Sequence, residues 1–419
     1  MKHLVLIGDG MADFPLPSHD NRTPLALART PAMDEVVRLG LTGLFSPIPD
    51  GLPPGSDVGN LSVLGYDPHT ALTGRAPLEA ASQGIVLAPN QIAFRCNLVT
   101  LDARCMRDFT AGHISTQEAA SLIDTLNEHL AVGFGVTFHP GVGYRHLTIF
   151  TCGDTAQLES LQHVACTPPH DITDQPYASH LPKGPGSDVL VQLMRRSESL
   201  FARHPVNAAR TSACSPPVTS IWLWGQGRTP AIEPYPSRFG IHGCVISAVD
   251  LVNGIGICAG LDPVRVPGAT GYLDTNYAGK VAAALQALDR VDFVYLHVEA
   301  PDETSHEGRL DLKIRAIEDF DARVVAPCLE RARARDDCRV FVAPDHITAL
   351  SIRTHAGGPV PFALCGPGVQ PDAATAYDEH TAAQAGLRVD EAHALLPHIL
   401  TTPLLRPASL KERFWKCHT

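Results

Sequence analysis

The segment DFVYLHVEAPDETSHEG, residues 292–308, decides the fold of this chain. Its first half, DFVYLHV, is an almost uninterrupted apolar run of strand length, which is typical of a parallel strand covered on both faces. Its second half places Asp302 and His306 four residues apart directly after that strand. If this half turns helically, the two side chains share one helix face and can bind the same metal ion.

Strands and helices alternate on either side of this segment. Near the N-terminus the pattern predicts a strand over 3–7, a helix over 32–39 and a strand over 42–45. Near the C-terminus it predicts one long helix over 311–335 and a strand, CRVFVAP, over 338–344. Such alternation indicates an α/β fold with a mainly parallel sheet.

The middle of the chain has a different pattern. IAFRCNLVTL (92–101) predicts a strand, Ser115 and Glu118 have capping-box spacing before a helix, and 134–140 and 145–150 predict paired strands. Residues 153–185, rich in Pro, His, Asp and Gly, are expected to be loop. We therefore expect a discontinuous α/β domain, residues 1–84 and 236–419, with an α+β domain inserted over 85–235.

Composition excludes several classes of function. Hydrophobic residues make up 44% of the 419 residues and charged residues 18%, which is normal for a folded domain and not for a disordered one. The net charge of −11 argues against broad nucleic-acid binding. No apolar run approaches the ~20 residues of a membrane helix. Eleven cysteines without a CxxC pair favour reduced thiols in a cytoplasmic enzyme. The sequence does not predict the oligomeric state.

Four segments carry residues with catalytic chemistry, each at the end of a predicted strand or in a loop beside it. They are IGDG with Asp9, PPGSDVGN with Ser56, EAPDETSHEG with Asp302 and His306, and APDHITALSIRTHAGG with Asp345, His346 and His355. Ligands of open α/β sheets collect at the carboxyl ends of strands, so these segments can converge. Three carboxylates, three histidines and one serine suit two divalent metal ions that stabilise a phosphoryl transfer.

Ser56 is the natural nucleophile of such a site. Its hydroxyl lies where a loop opens into a predicted helix, and metal coordination together with the helix N-terminus would favour the alkoxide. Each residue also has a simpler interpretation, because Asp9 suits a turn, Ser56 suits a helix N-cap and His355 suits a solvated surface.

The motifs together resemble the archaeal-type 2,3-bisphosphoglycerate-independent phosphoglycerate mutases of the alkaline phosphatase superfamily. The resemblance is carried by IGDGMAD (7–13), PPGSDVGNLSVLGYDP (53–68), TGRAPLEAASQGI (73–85), AFRCNLVTL (93–101), EAPDETSHEG (299–308) and PDHITALSIRTHAGGPVPF (344–362). It implies an alkaline-phosphatase-like fold. It also implies interconversion of 3-phosphoglycerate and 2-phosphoglycerate through a phosphoserine at Ser56, without 2,3-bisphosphoglycerate.

The resemblance also assigns the metal ligands. One ion would be held by Asp302, His306 and His355, and the other by Asp9, Ser56, Asp345 and His346. Mn²⁺ is the ion we expect, and Zn²⁺, Co²⁺ and Mg²⁺ are accepted by the same donors. The inserted domain would hold the glycerate between the two half-reactions.

The substrate, a small phosphorylated acid, needs cationic partners in a protein of net charge −11. The candidates are His113, Arg145, Arg210, Arg228 and Lys280. Residues 299–301 resemble a bacterial subgroup proposed to act as homoserine kinases. A related phosphotransferase on another small substrate is therefore the alternative, and a catalytically inactive binding protein is a third interpretation.

Overall fold

A computed structural model describes residues 1–414 and divides the chain into two compact units. The first unit contains residues 1–72 and the chain from residue 231 onward, and the second contains residues 73–230. The second unit therefore begins earlier than the predicted residue 85. The helix Ala76–Ser82 belongs to it because Ala76 and Ala80 pack against Ala93, Leu147 and Ile149.

The first unit is built on an eight-stranded sheet. In spatial order its strands are Arg388–Val389, Gly40–Phe45, Val360–Cys365, Cys338–Ala343, Lys2–Gly8, Phe293–Val298, Gly243–Ile246 and Asp262–Pro263. The strand Val360–Cys365 pairs antiparallel with both of its neighbours, and the other pairs are parallel. A separate antiparallel ribbon joins Ile347–Ala349 to Thr354–Ala356. The predicted α/β class with a mainly parallel sheet is confirmed.

The centre of this sheet is completely buried. All six residues of Phe293–Val298 are buried, as are all six of Cys338–Ala343. Leu296 and Val342 belong to one apolar cluster with the helix residues Val37, Ile317 and Phe320. Helices therefore cover these strands, which explains the uninterrupted apolar runs.

The helices of the first unit are mostly short. They are Pro24–Leu27, Pro31–Arg38, Ser56–Val63, Pro68–Ala71, Tyr235–Phe239, Asp250–Cys258, Tyr277–Ala287, Ala300–His306, Leu310–Phe320, Ala326–Arg335, Glu379–Ala385, Leu395–Thr401 and Pro407–Phe414. The predicted single helix over 311–335 is wrong in one respect, since a π-helical turn, Asp321–Val325, divides it. Pro327 lies at the start of the following helix and has no N–H to donate to the preceding turn.

The second unit is α+β. Its strand Gln91–Leu101 pairs antiparallel with Met106–Asp108, Arg145–Thr151 and Ser220–Gly227, and Val136–His139 completes the sheet. Its helices are Ala76–Ser82, Thr116–Leu126, Val132–Phe134, Thr155–Gln162, Ser187–Phe201 and Pro205–Ser212, and a π turn covers Asn127–Ala131. The helix Thr155–Gln162 corrects the expected loop over 153–185, because Asp154 caps its N-terminus through Gln157 N–H.

Two further findings concern the whole described chain. No helix within residues 1–414 is long and apolar enough to cross a bilayer. The ten cysteines of the described part are all free, and six of them are buried.

Candidate active site

The candidate residues of the first unit gather where neighbouring parallel strands end. Asp9 follows Lys2–Gly8, Asp345 lies two residues beyond Cys338–Ala343, and Glu299 follows Phe293–Val298. These three strands are adjacent and parallel, so their carboxyl ends share one edge of the sheet. The chain leaves regular strand geometry at Pro344, which lets the successive residues Asp345 and His346 turn toward the same region.

The first group of candidate ligands is Asp302, His306 and His355. The helix Ala300–His306 carries Asp302 and His306 on one face, and their Oδ2 and Nε2 atoms lie 3.2 Å apart. His355 Nε2, from the strand Thr354–Ala356, lies 3.4 Å from Asp302 Oδ1 and 3.1 Å from His306 Nε2. His306 Nδ1 is 3.0 Å from the carbonyl oxygen of Arg353, which orients Nε2 toward the group.

The second group is Asp9, Ser56, Asp345 and His346. His346 Nε2 lies 3.2 Å from Asp9 Oδ1, 3.6 Å from Asp345 Oδ2 and 3.1 Å from Ser56 Oγ. Ser56 is the first residue of the helix Ser56–Val63, and Gly55 occupies the N-cap position. Gly55 therefore takes the N-cap position that the simpler interpretation gave to Ser56, and Ser56 Oγ faces His346 instead.

Thr348 connects the two groups. Its hydroxyl donates to Asp302 Oδ1, and its oxygen lies 3.1 Å from His346 Nδ1. Because the one hydroxyl proton goes to Asp302, the oxygen can only accept from His346. The ring proton of His346 is therefore on Nδ1, and the lone pair of Nε2 faces Asp9 and Ser56.

This arrangement fits a bound cation. Asp9 Oδ1 is buried and has no hydrogen-bond partner within residues 1–414, although His346 Nε2 is only 3.2 Å away. Two lone-pair atoms that face each other in a buried site repel, and either a proton or a metal ion between them removes this repulsion. Three sets of donor atoms meet closely enough to hold a metal ion: Asp302 with His346 and His355, Asp9 with Asp345 and His346, and Asp9 with Glu299 and Asp302.

Residues that the sequence analysis missed hold the second group in place. Asn60 Nδ2 donates to Asp345 Oδ2 over 2.6 Å, and Tyr295 donates to Asn60 Oδ1 over 2.5 Å. His297 Nε2 lies 3.0 Å from Asp9 Oδ2 but makes no hydrogen bond within residues 1–414, so it borders the group without fixing it. His297 and Tyr295 occupy the strand DFVYLHV, where polar side chains in an apolar run were the available signal.

The carboxylates at this edge of the sheet are buried and close together, which makes ionisation of each one less favourable. Burial raises the pKa of Asp9 well above its ordinary value, and the charges of Asp345, Asp302 and Glu299 raise it further. Burial, Glu303 and Asp302 raise the pKa of Glu299 to about 8. Bound cations would offset this accumulated negative charge.

The pKa values of His306 and His346 shift in opposite directions. Burial would raise the pKa of Asp302, but hydrogen bonds from His306 and His355 outweigh it and hold the pKa well below its ordinary value. The hydrogen bond to Asp302 raises the pKa of His306 to about 9. Burial lowers the pKa of His346, which keeps its imidazole neutral and able to coordinate.

The predicted substrate-binding residues are not brought together as one group. His113 and Arg145 are exposed in the second unit. Arg228 is partly exposed and lies 3.7 Å from Glu159. Arg210 is 6% exposed, and its guanidinium donates to Glu118 Oε2 and to the carbonyl oxygens of Ala111 and Pro216.

Lys280 lies in the first unit and is completely buried. Its Nζ donates to the carbonyl oxygen of His297 over 3.1 Å, and burial lowers its pKa to about 8. Lys280 thus contacts the strand that carries His297 and supports it from within. A direct substrate contact by Lys280 stays a prediction.

A serine hydroxyl at a helix N-terminus beside carboxylate and histidine clusters, at the carboxyl edge of an α/β sheet, defines the class as an enzyme of phosphoryl transfer. Comparison with known proteins then identifies the family. Residues 38–207 match the family model described as 2,3-bisphosphoglycerate-independent phosphoglycerate mutase. The chain belongs to this family, which confirms the resemblance seen in the sequence.

Relatives match over nearly the whole chain. The 2,3-bisphosphoglycerate-independent phosphoglycerate mutase of Methanothrix thermoacetophila is 47% identical over 94% of this chain and 98% of its own length. The probable enzyme of the same name from Geobacter sulfurreducens is 48% identical over 96% of this chain and 100% of its own.

Solved structures agree with the fold. A protein from Pyrococcus horikoshii is similar with a TM-score of 0.80 and 26% identity, covering 100% of this chain and 99% of its own. The cofactor-independent phosphoglycerate mutase of Thermoplasma acidophilum shows the same fold with a TM-score of 0.65 and 24% identity, over 95% of this chain and 99% of its own.

Proposed function

We propose that this protein interconverts 3-phosphoglycerate and 2-phosphoglycerate without 2,3-bisphosphoglycerate, using Ser56 as nucleophile. The observation that carries the proposal is the position of Ser56 Oγ, 3.1 Å from His346 Nε2 at the N-terminus of Ser56–Val63. The names of the relatives, at 47–48% identity, favour this mutase reaction over the homoserine kinase alternative.

We assign two divalent ions to this site, one with Asp302, His306 and His355 and one with Asp9, Ser56, Asp345 and His346. We expect Mn²⁺, although Zn²⁺, Co²⁺ and Mg²⁺ suit the same oxygen and nitrogen donors. When bound, such ions supply Lewis acidity, which lowers the pKa of a coordinated hydroxyl and offsets the charge of the phosphate.

The reaction consists of two phosphoryl transfers, one to Ser56 and one from it. In the first half, Ser56 Oγ forms a bond to phosphorus while the bond from phosphorus to the 3-oxygen of the substrate breaks. The proton lost by the Ser56 hydroxyl is balanced by the proton that the 3-oxygen gains, which leaves glycerate and phosphoserine. The first turn of Ser56–Val63 favours negative charge at Oγ and on the phosphate through its N–H groups and dipole. In the second half, the 2-oxygen of glycerate forms a bond to phosphorus while the bond from phosphorus to Ser56 Oγ breaks. The 2-hydroxyl loses its proton and Ser56 Oγ gains one, so the serine is restored.

Glycerate must stay bound between the two halves, because water would otherwise hydrolyse the phosphoserine and turn the mutase into a phosphatase. We assign the holding of glycerate to the inserted unit, residues 73–230. The substrate contacts of His113, Arg145, Arg210, Arg228 and Lys280 remain predictions. A cytoplasmic location is our further expectation, since the substrates are intermediates of central metabolism.

A coupled assay tests the proposal. The purified chain is given Mn²⁺ and 3-phosphoglycerate, with enolase to report 2-phosphoglycerate and no 2,3-bisphosphoglycerate present. We expect turnover in the wild type and in Ser62→Ala, a control on the same helix, and none in Ser56→Ala or after metal removal. Activity that survives in Ser56→Ala would refute the serine mechanism, and an inactive, metal-loaded wild type would refute the substrate.

A further inference from the structure

The helix that begins at Ser56 is fixed against Asp345 by two of its own residues, Gly59 and Asn60. Asn60 lies four residues after Ser56, so the two residues lie on one face of Ser56–Val63. A Cβ atom at Gly59 would lie 2.3 Å from the carbonyl oxygen of Asp345, which is shorter than any van der Waals contact. The absence of a side chain at Gly59 therefore lets the helix touch the backbone of Asp345.

The side chain of Asn60 makes three hydrogen bonds in a completely buried position. Its Nδ2 donates to the carbonyl oxygen of Ser56 over 2.8 Å and to Asp345 Oδ2 over 2.6 Å. Its Oδ1 accepts the hydroxyl proton of Tyr295 over 2.5 Å. Both N–H donors of the amide are thus used, and they join the backbone of Ser56 to the carboxylate of Asp345.

The hydroxyl of Tyr295 fixes the direction of this amide. Tyr295 is completely buried, and burial raises the pKa of its hydroxyl well above the ordinary value, so the hydroxyl keeps its proton. A proton donor at this position requires Oδ1 of Asn60 to face Tyr295, which turns Nδ2 toward Asp345 and Ser56. Without the hydroxyl, Oδ1 of Asn60 would lose its partner in a buried position and the amide could rotate.

We propose that Asn60 and Tyr295 are a positioning pair, which holds Ser56 and Asp345 at a fixed spacing so that both can bind the same cation. The pair acts through Ser56 and Asp345 and not on the reacting atoms. Ser56 and Asp345 are far apart in the sequence, so contacts between their segments must set this spacing. The inference rests on the proposed function in one respect, since it uses the assignment of Ser56 and Asp345 to one group of ligands.

The chain offers a matched control at the other end of the same helix. Tyr235 is also completely buried, and its hydroxyl donates over 2.8 Å to the carbonyl oxygen of Leu64, the C-cap residue of Ser56–Val63. Tyr235→Phe and Tyr295→Phe therefore each remove one buried hydroxyl that fixes this helix. Only Tyr295→Phe removes a contact on the side of Ser56 and Asp345. Loss of helix stability alone would affect both variants, whereas loss of positioning would affect only one.

A Mn²⁺ titration of the full chain, followed by electron paramagnetic resonance of the free ion, tests the pair. We expect Tyr295→Phe to weaken Mn²⁺ binding by about tenfold, which is the effect of one lost hydrogen bond. Asn60→Ala, which removes all three bonds, should weaken it by about 100-fold. Tyr235→Phe should bind Mn²⁺ like the wild type. Urea unfolding of the metal-free protein should show similar losses of stability in the two Tyr→Phe variants.

The enolase assay provides a second readout. Tyr295→Phe should lower kcat by about tenfold and leave KM unchanged, because a misplaced Ser56 slows the reacting step without weakening substrate binding. A raised KM with unchanged kcat would overturn the proposal, since the pair would then affect substrate binding.

Equal Mn²⁺ affinities of Tyr295→Phe and Tyr235→Phe would also overturn the proposal, and so would a wild type that binds no Mn²⁺. Failure of the proposed function is a separate result. A wild type that binds Mn²⁺ but is inactive in the enolase assay refutes the substrate, and the Mn²⁺ titration of the variants still decides whether Asn60 and Tyr295 position Ser56 and Asp345.

Discussion

Replacing Thr348 by valine removes the hydroxyl that connects the two ligand groups while nearly preserving side-chain shape. The variant loses the bond to Asp302 Oδ1 and the acceptor for His346 Nδ1, which lie in a buried site. His346 is then free to place its proton on Nε2, where it would compete with a metal ion. We expect Thr348→Val to weaken binding of Mn²⁺ and to reduce kcat.

The magnitude follows from the contacts. A hydrogen bond to a charged group contributes about 1.5–3 kcal/mol, and tenfold in affinity corresponds to about 1.4 kcal/mol. Loss of a group that orients a ligand typically weakens metal binding by about 10–100-fold, which agrees. We therefore expect Mn²⁺ affinity to fall by about 10–100-fold.

The assay is a Mn²⁺ titration followed by electron paramagnetic resonance of the free ion. Thr348→Ser keeps the hydroxyl and should restore most of the affinity, and Thr354→Val changes an exposed threonine in the same two-stranded ribbon. A Thr348→Val variant that binds Mn²⁺ like the wild type would refute the reasoning. So would a loss of thermal stability in the metal-free protein with no change in affinity, since that marks a structural role alone.

Two further predictions concern stability. Lys313→Met leaves the buried Asp13 carboxylate without the ammonium group that lies 2.9 Å away, and should lower the free energy of unfolding in urea by about 3–5 kcal/mol. Arg309→Met, which removes an exposed ion pair with Asp311, should change that free energy by nothing measurable. Equal losses in the two variants would contradict this prediction. Asp321 accepts the N–H of Met33 at the start of Pro31–Arg38, and burial raises the pKa of Asp321 to about 6. A carboxyl group whose pKa is higher in the folded state than in the unfolded state binds its proton more tightly when folded. It therefore stabilises the fold at low pH, and this contribution is lost as the pH rises through the folded-state pKa. The stability of the wild type relative to Asp321→Asn should therefore decline from pH 4 through pH 6, and a rise over that range would contradict the sign.

The sequence predicted the parts of the site that depend on local spacing. Asp302 and His306 share a helix face because four residues span about one turn, and Pro344 interrupts the strand before Asp345. The apolar run of DFVYLHV similarly defined a central strand. In each case the deciding physical feature lies within a few residues of the chain.

Contacts between distant segments were not predictable in the same way. Asn60 forms hydrogen bonds with Asp345 and Tyr295, which lie more than two hundred residues away in the sequence. No local sequence pattern distinguishes this asparagine from one on a solvated surface. The early boundary of the second unit was missed because the alanine-rich helix Ala76–Ser82 could pack on either unit.

The order of strands in the main sheet has a consequence for how the protein is made. Lys2–Gly8 is translated before the second unit, whereas its two neighbours, Phe293–Val298 and Cys338–Ala343, are translated only after the whole second unit. The second unit is one continuous stretch and can fold while synthesis proceeds. Asp9 and Ser56 reach Asp302 and Asp345 only after those later segments are made, so the inserted unit can be folded before the catalytic centre is assembled.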